Sequence, residues 1–144
     1  MSANTIIIAG DYRKLQSKVI ATGQTIKPGM LLKENSDGKL EVHGTAGDYA
    51  ERIVALEDAL QGKTVDDAYT ADTVCDCAIM LPGSESQVLV KAGESIVIGD
   101  QLVSAGDGKF KEDTGTDKVL CIALEAADLN DSGDVDTLVK VRWL

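Results

Sequence analysis

Two stretches of the chain carry the same order of apolar residues, glycines and polar turn residues. Residues 23–40 read GQTIKPGMLLKENSDGKL, and residues 93–110 read GESIVIGDQLVSAGDGKF. Asp107-Gly108-Lys109 follows Asp37-Gly38-Lys39 by 70 positions (109 − 39), and the matched glycines and aliphatic residues keep that offset. Matches of several residue types in one order rarely arise by chance. We therefore interpret the chain as an internal duplication.

The apolar positions of each unit predict short strands around a tight hairpin. Asp-Gly between two apolar runs favours a type I′ turn, because that turn requires positive φ at both central residues. Gly29 and Gly99 interrupt runs that are too short for helices, and they indicate further turns.

One stretch of the first unit sets helical spacing against the repeat. The apolar residues within residues 49–60 are spaced as on one face of a helix. The same stretch aligns, at an offset of 68 (123 − 55), with residues 119–124, which are short and β-rich. Because duplicated units share a fold, we predict a strand at Arg52–Glu57, with a helical turn as an option over Asp58–Gln61.

The other strands are predicted from apolar or alternating runs between turn residues. Ser84–Gln87 is predicted to be a turn, and Val88–Lys91 the start of the second unit. Thr137–Leu144 alternates apolar and basic residues, which is typical of a half-buried strand. Further strands are predicted at Ile6-Ile7-Ile8, Ser17–Ala21 and Val74–Leu81.

These elements predict an all-β fold with little helix. We expect a β-barrel or β-tulip-like domain built from two duplicated units, related by a pseudo-two-fold axis, because one unit alone buries too little core. The chain divides into an N-terminal segment, residues 1–16, and a single β domain, residues 17–144. The repeats within that domain cover about residues 17–81 and 88–144.

The core is expected to be aliphatic, since aromatic residues make up 3% of the chain. Its predicted members from the second unit are Ile96, Leu102, Ile122, Leu124, Val139 and Val141. Their counterparts in the first unit are Ile26, Leu32, Val54 and Leu56.

Charge and composition narrow the function classes. A formal net charge of −10 argues against nucleic acid as a partner, because its phosphates would be repelled. No apolar run approaches membrane-spanning length, so no membrane partner is expected. No basic region precedes Ile6-Ile7-Ile8, so no secretory signal is expected. Together with three cysteines, an odd number, this favours reduced thiols.

Candidate metal sites are weak. Cys75 and Cys77 place two thiols on one face of a strand, but zinc sites use wider spacing, and buried structural thiols are the favoured interpretation. Asp128–Asp136 imitates the front of an EF-hand loop, yet Val139 stands where the bidentate glutamate belongs. We favour an acidic surface turn there, with weak calcium binding left open. No metal and no cofactor is predicted.

Catalytic residues are not predicted either. The single histidine, His43, lies beside the first hairpin without a Ser or Cys motif, and a surface position is expected for it. Neither a GxxxxGK[ST] loop nor a GxGxxG motif occurs. The chain is therefore not expected to be an enzyme.

The glycine-rich β units, the IVALEDALQG stretch and the terminal LVKVRWL resemble tailed-phage capsid decoration (cement) proteins. The strands at Ile53–Ala59 and Ile122–Ala127 are similar to a recurrent strand of that family. The resemblance implies a protein that binds the outer surface of an assembled capsid and stabilises it. Its partners would be the major capsid protein and itself, as a homotrimer or, alternatively, a dimer. The protein would be made in the host cytoplasm and located on the virion exterior.

Two alternatives remain at this point. A biotinyl or lipoyl carrier would also have two quasi-symmetric halves, although Lys39 and Lys109 lack the flanking residues of a modified lysine. A sugar-binding module is disfavoured by the scarcity of aromatic residues. For the capsid role, the candidate contact residues are Thr5, Ile6, Ile7 and Ile8, which could add a strand to a neighbour's sheet. The competing interpretation is that Ile6–Ile8 pairs within its own barrel.

Overall fold

The computed structural model describes residues 4–10 and 12–144, with the side chains of residues 12–14 left aside. The described part is built of short strands, and its single helical element is a 3-10 turn at Ala59–Gln61. In chain order the strands are β1 (Ile7–Ala9), β2 (Tyr12–Val19), β3 (Leu31–Glu34), β4 (Leu40–Val42), β5 (Ile53–Ala55), β6 (Val74–Met80), β7 (Glu85–Val90), β8 (Ser95–Ile96), β9 (Gln101–Ser104), β10 (Phe110–Glu112), β11 (Cys121–Ala123), β12 (Ala127–Asp128) and β13 (Thr137–Trp143). The predicted all-β class is confirmed.

The strands form two successive halves. In the first half, β2 to β6, the sheet order is β2-β6-β5-β3-β4, and a parallel bridge between Ile20 and Leu40 joins its two outer strands. In the second half, β7 to β13, the order is β7-β13-β11-β9-β10. A parallel pairing of Phe110 with Val90 closes these five strands into a barrel, and β1 is added on the outer side of β7. Strands β8 and β12 form a separate two-stranded sheet.

The two halves agree in strand register as well as in strand order. Each Asp-Gly-Lys tripeptide lies in the turn of a corresponding hairpin, β3–β4 or β9–β10. For each strand pairing of the first half, the equivalent pairing of the second half has the matching register. The pairs, first half and then second half, are Leu32↔Val42 and Leu102↔Glu112 in the hairpins, Leu31↔Val54 and Gln101↔Ile122, Val54↔Ala78 and Ile122↔Arg142, and Ser17↔Asp76 and Gln87↔Lys140. The offsets are 70 for the hairpin strands (102 − 32), 68 for β5 and β11 (122 − 54) and 64 for β6 and β13 (140 − 76). Origin by duplication stays a prediction, and the agreement of registers is what that prediction requires.

The core differs from the predicted one in its division and its chemistry. One buried cluster spans both halves and includes Val54, Ile96, Leu102, Val139 and Val141. A second cluster belongs to the first half and contains Ile26 and Leu32, so the predicted single core was wrong on this point. Ile122 and Leu124 were also assigned wrongly, because they are half-buried, and Leu56 is half-buried at the edge of the larger cluster.

Two aromatic residues correct the expectation of an aliphatic core. Trp143 and Phe110 are the largest fully buried side chains, and their rings meet edge to face with centroids 5.9 Å apart. Edge-to-face contact between aromatic rings stabilises beyond the burial of area alone. Scarcity of aromatics therefore did not exclude them from the interior, since Trp143, Phe110 and Tyr69 are buried.

Local predictions were confirmed at Arg52–Gln61 and were wrong at Ser84–Gln87 and at the start of the second strand. Strand β5 and the 3-10 turn after it lie where Arg52–Glu57 and Asp58–Gln61 were predicted. Ser84–Gln87 is not a turn, because β7 starts at Glu85. Strand β2 begins at Tyr12, well before the predicted start at Ser17. In the described part of the chain, no helix is long and apolar enough to cross a membrane.

Candidate functional site

The N-terminal segment is bound to the molecule's own barrel. Ile6 is fully buried in the larger cluster, and its N–H donates to the Glu57 carboxylate over 2.9 Å. The Gln87 backbone N–H donates to the Ile6 carbonyl over 2.8 Å, and the Gln87 side-chain amide donates to the Thr5 carbonyl over 2.7 Å. Strand β1 then pairs antiparallel with β7 through Ile7. The segment is thus held by one buried side chain and several backbone hydrogen bonds.

The four predicted contact residues are together in one place but differ in exposure. Thr5 is exposed, Ile7 and Ile8 are half-buried, and Ile6 is inaccessible. Because β1 is the outermost strand of its sheet, its outer edge is not paired with any described strand. Such an edge offers backbone donors and acceptors to another chain. Contact with a partner through Thr5–Ile8 stays a prediction, and internal pairing of Ile6–Ile8 is what the structure contains.

The two halves of the chain meet through turns that carry positive-φ glycines. The Leu89 N–H donates to the Gly29 carbonyl over 3.0 Å, and the Leu31 N–H donates to the Gly108 carbonyl over 2.8 Å. A Cβ on Gly29 would lie 2.5 Å from Leu138 Cδ2, and one on Gly108 would lie 3.0 Å from Val42 Cβ. Both turns therefore approach the opposite half more closely than a side chain allows.

His43 lies at this junction, not at the surface as predicted. It is buried, and its Nε2 lies 2.8 Å from the Tyr49 carbonyl, so Nε2 carries the proton. Its Nδ1 lies 2.8 Å from Ser104 Oγ, and Ser104 Oγ in turn accepts the Gly106 N–H over 3.2 Å. The hydrogen bond between His43 Nδ1 and Ser104 Oγ links the first half to the second. Because both ring nitrogens are held by partners in different parts of the chain, the arrangement fits a structural clamp.

The three thiols are buried, as the favoured interpretation of Cys75 and Cys77 required. Burial raises the pKa of the Cys77 thiol to about 11 and raises the pKa values of the Cys75 and Cys121 thiols further. A thiol held protonated is a poor nucleophile and a poor metal ligand. Among the described residues, no group of three or more His, Cys, Asp or Glu side chains is close enough to hold a metal ion.

Acidic residues of Asp128–Asp136 bind backbone and side-chain groups of the turn and of the neighbouring chain. The Asp131 N–H donates to the Asp134 carboxylate over 2.8 Å, and the Ala92 N–H donates to Asp136 over 2.8 Å. Asp136 also pairs with Lys109 Nζ at 2.9 Å. Burial alone would raise the pKa of Asp136, but the hydrogen bonds from Lys109 and Ala92 outweigh it and hold that pKa below its ordinary value. The loop is an acidic turn, and Lys109 is committed to an ion pair.

Several large apolar side chains are exposed in the described part of the chain. Val97 and Ile98 stand on the turn before β9, and Val19 and Val74 face solvent where β2 pairs with β6. Leu15 and Leu60 line a groove of about 510 Å³ beside Glu57 and Asp76. Sequence reasoning missed these positions. Comparing the two units would have singled out Val97 and Ile98, since Lys27 and Pro28 occupy their positions in the first unit.

Comparison with known proteins gives a likeness in structure and none in sequence. No protein-family model matches the chain, and no curated protein matches it either. The chain is similar in fold to a phage head component. That solved structure is the head fiber gp8.5 N base in bacteriophage phi29, which matches with a TM-score of 0.57 and 16% identity, covering 91% of this chain and 95% of that one. The likeness extends over nearly the whole of both chains, and at this identity it establishes the fold alone.

Proposed function

We propose that the chain is a non-enzymatic structural protein of a tailed phage, which binds the outer surface of the assembled capsid and stabilises it. The supporting observation is the fold shared with a phage head-fiber base over 91% of this chain. The major capsid protein is the proposed partner, together with further copies of the chain as a homotrimer or, alternatively, a dimer. The protein is made in the host cytoplasm, is located on the virion exterior and needs no cofactor.

The charge of the chain suits this role. With a formal net charge of −10, the body repels nucleic acid and other decorated particles. Its binding to a lattice does not require high affinity at each contact, because a multimer that engages several sites gains through effective concentration. Thr5, Ile6, Ile7 and Ile8 are the proposed contact, and the outer edge of β1 can accept a strand of the capsid protein while Ile6 stays buried.

Fractionation of infected or induced cells tests the capsid role. A lysate is separated on a density gradient, and the chain is detected by immunoblot. The proposal expects the chain to band with the heads and expects heads that lack it to release DNA at a lower temperature. A chain that stays in the soluble fractions while the heads band free of it would refute the proposal.

Truncation and point variants test the contact segment. Deleting residues 1–8 removes Ile6 as well as the contact, so circular dichroism must accompany the binding assay. The variant Ile8→Asp keeps Ile6 in place and charges the half-buried outer position, and Val135→Asp, at an exposed loop position, is its matched control. We expect Ile8→Asp to fold and to lose head binding, whereas the control binds. If Ile8→Asp binds heads at full occupancy, the β1 contact is refuted and the contact must come from the loops.

A further inference from the structure

The contact between the two halves is not reciprocal: a turn of the first half docks on the second half, but the equivalent turn of the second half docks on nothing described. The turn of residues 27–30, in the first half, docks on Leu89 and Leu138 of the second half, with the Leu89 N–H on the Gly29 carbonyl. At an offset of 70, the corresponding turn of the second half is residues 97–100 (99 − 29). A closed two-fold arrangement would dock that turn on the first half. Instead it is exposed, so the arrangement of halves is open at both ends.

The turn of residues 97–100 carries two exposed apolar side chains. Val97 is 58% exposed and Ile98 is 69% exposed, whereas Pro28, the counterpart of Ile98, is buried. Gly99 has φ 97° and Gly29 has φ 90°, so the two turns have the same backbone type. Apart from Gly99 itself and its two chain neighbours, no described heavy atom lies within 4 Å of a Cβ built on Gly99. The turn has the shape of the docked one but no surface beneath it.

The unused receiving surface lies at the other end of the molecule. The counterpart of Leu89 is Val19 (89 − 70), and the counterpart of Leu138 is Val74 (138 − 64). Leu89 is fully buried, but Val19 is 39% exposed and Val74 is 54% exposed. Hydrogen-bonding direction alternates along an antiparallel strand, and the Ile20 N–H points to β6, so the Val19 N–H points away from it.

The second contact of the junction is unmatched in the same way. Gly108, in the second hairpin, accepts from the Leu31 N–H. Its counterpart Gly38 has no described heavy atom beyond its two chain neighbours within 4 Å of a built Cβ. The counterpart of Leu31 is Gln101 (101 − 31 = 70), which is exposed. Each turn and each surface of the internal junction thus has a counterpart in the other half, and these counterparts make no such contact within the molecule.

We propose that copies of this chain associate head to tail by repeating the internal junction between molecules. The turn of residues 97–100 in one copy docks on Val19 and Val74 of the next, and the Val19 N–H donates to the Gly99 carbonyl. The Gly38 turn of that next copy accepts from the Gln101 N–H of the first. The interface is heterologous, so it generates a ring where the rotation closes and a filament where it does not. This inference does not depend on the capsid role.

The proposed interface brings like charges together, so association should depend on salt concentration. The counterparts of Ser104 and His43, which hydrogen-bond within the chain, are Glu34 and Asp113. Between copies these two carboxylates face each other, although Lys18 pairs with Glu34. Each copy also carries a formal net charge of −10. Association therefore strengthens as salt screens the repulsion, and Asp113→Asn strengthens it at low salt.

Sedimentation velocity of the purified full chain over a range of concentrations tests the proposal. The wild-type chain is expected to form species that grow with concentration and with salt. Ile98→Asp removes the docking turn and Val19→Asp removes the receiving surface, and each raises the dissociation constant by about 30-fold or more, because each leaves a carboxylate unpaired in the interface. Val135→Asp, at an exposed site outside the proposed contact, is the matched control and associates as the wild type does.

Mixing the two variants separates a head-to-tail interface from any other. Ile98→Asp keeps an intact receiving surface, and Val19→Asp keeps an intact turn, so an equimolar mixture forms dimers that cannot grow further. A wild-type chain that stays monomeric at its solubility limit in high salt overturns the proposal. So does a mixture that stays monomeric, or association that neither variant weakens. Circular dichroism of each variant checks that it is folded.

Discussion

The burial of Ile6 leads to a prediction that distinguishes a strand of the barrel from a detached arm. Ile6→Ala leaves the backbone hydrogen bonds with Gln87 and Glu57 in place and removes only side-chain carbons from a fully buried site. The carbons that isoleucine has beyond alanine are worth about 2.4 kcal/mol at about 0.8 kcal/mol each. The cavity left in the larger cluster adds to this, so the expected loss in free energy of unfolding is about 2–5 kcal/mol.

Equilibrium unfolding in urea measures the loss, with Ile8→Ala as the matched control. Ile8 is half-buried, so a smaller loss of about 1 kcal/mol is expected for the control. For a chain of this size, each kcal/mol corresponds to about 2–4 °C in Tm, so thermal unfolding provides an independent reading. An Ile6→Ala loss within about 0.5 kcal/mol, as at a surface site, would refute the burial of this side chain in solution.

Three further variants test the interior and the acidic turn. Ser86→Ala removes the acceptor of the Trp143 indole N–H, a bond of 2.7 Å, and is expected to cost about 1–3 kcal/mol in urea unfolding, with no measurable cost contradicting the bond. Leu124→Ala is expected to cost about 1 kcal/mol, because the residue is half-buried, and a loss above about 2 kcal/mol would show full burial instead. Asp136→Asn is expected to destabilise the chain above pH 3.8, the ordinary pKa of Asp, and the difference from wild type should vanish as pH falls through the depressed pKa of folded Asp136. A difference that persists unchanged in acid would show that the ion pair with Lys109 is not its cause.

The repeat made most of the fold predictable. Residues 49–60 have helical spacing by themselves, and only alignment with residues 119–124 indicated the strand β5. The Asp-Gly turns also predicted the two hairpins, because the backbone of a tight hairpin admits few residues at its centre. Local pattern and repeat together therefore identified the elements that lie inside each unit.

Predictions failed where polar residues are buried with partners. Ser86 and Gln87 suggested a turn, yet Ser86 accepts from Trp143 inside the barrel, and Gln87 binds the N-terminal segment. His43 suggested a surface site, yet its two ring nitrogens are satisfied by Ser104 and a backbone carbonyl. Composition cannot reveal such pairs, because the partners are distant in sequence and a buried polar group is stable only in their presence.

The candidate contact surfaces were the least predictable part. The units differ where one docks on the other, as at Pro28 and Ile98 or His43 and Asp113. Those differences are invisible to a search for what the repeats share. The positions at which the two units have different residues mark the junction and the two exposed surfaces at the ends of the molecule.

The capsid role is tested most directly by cryo-electron microscopy of heads purified from cells with and without the gene. The difference map is expected to contain a two-lobed β body on the outer surface of the shell, with β1 toward the capsid protein and most acidic side chains toward solvent. Heads that are identical in the two reconstructions, with the chain left in the soluble fraction, would contradict the account.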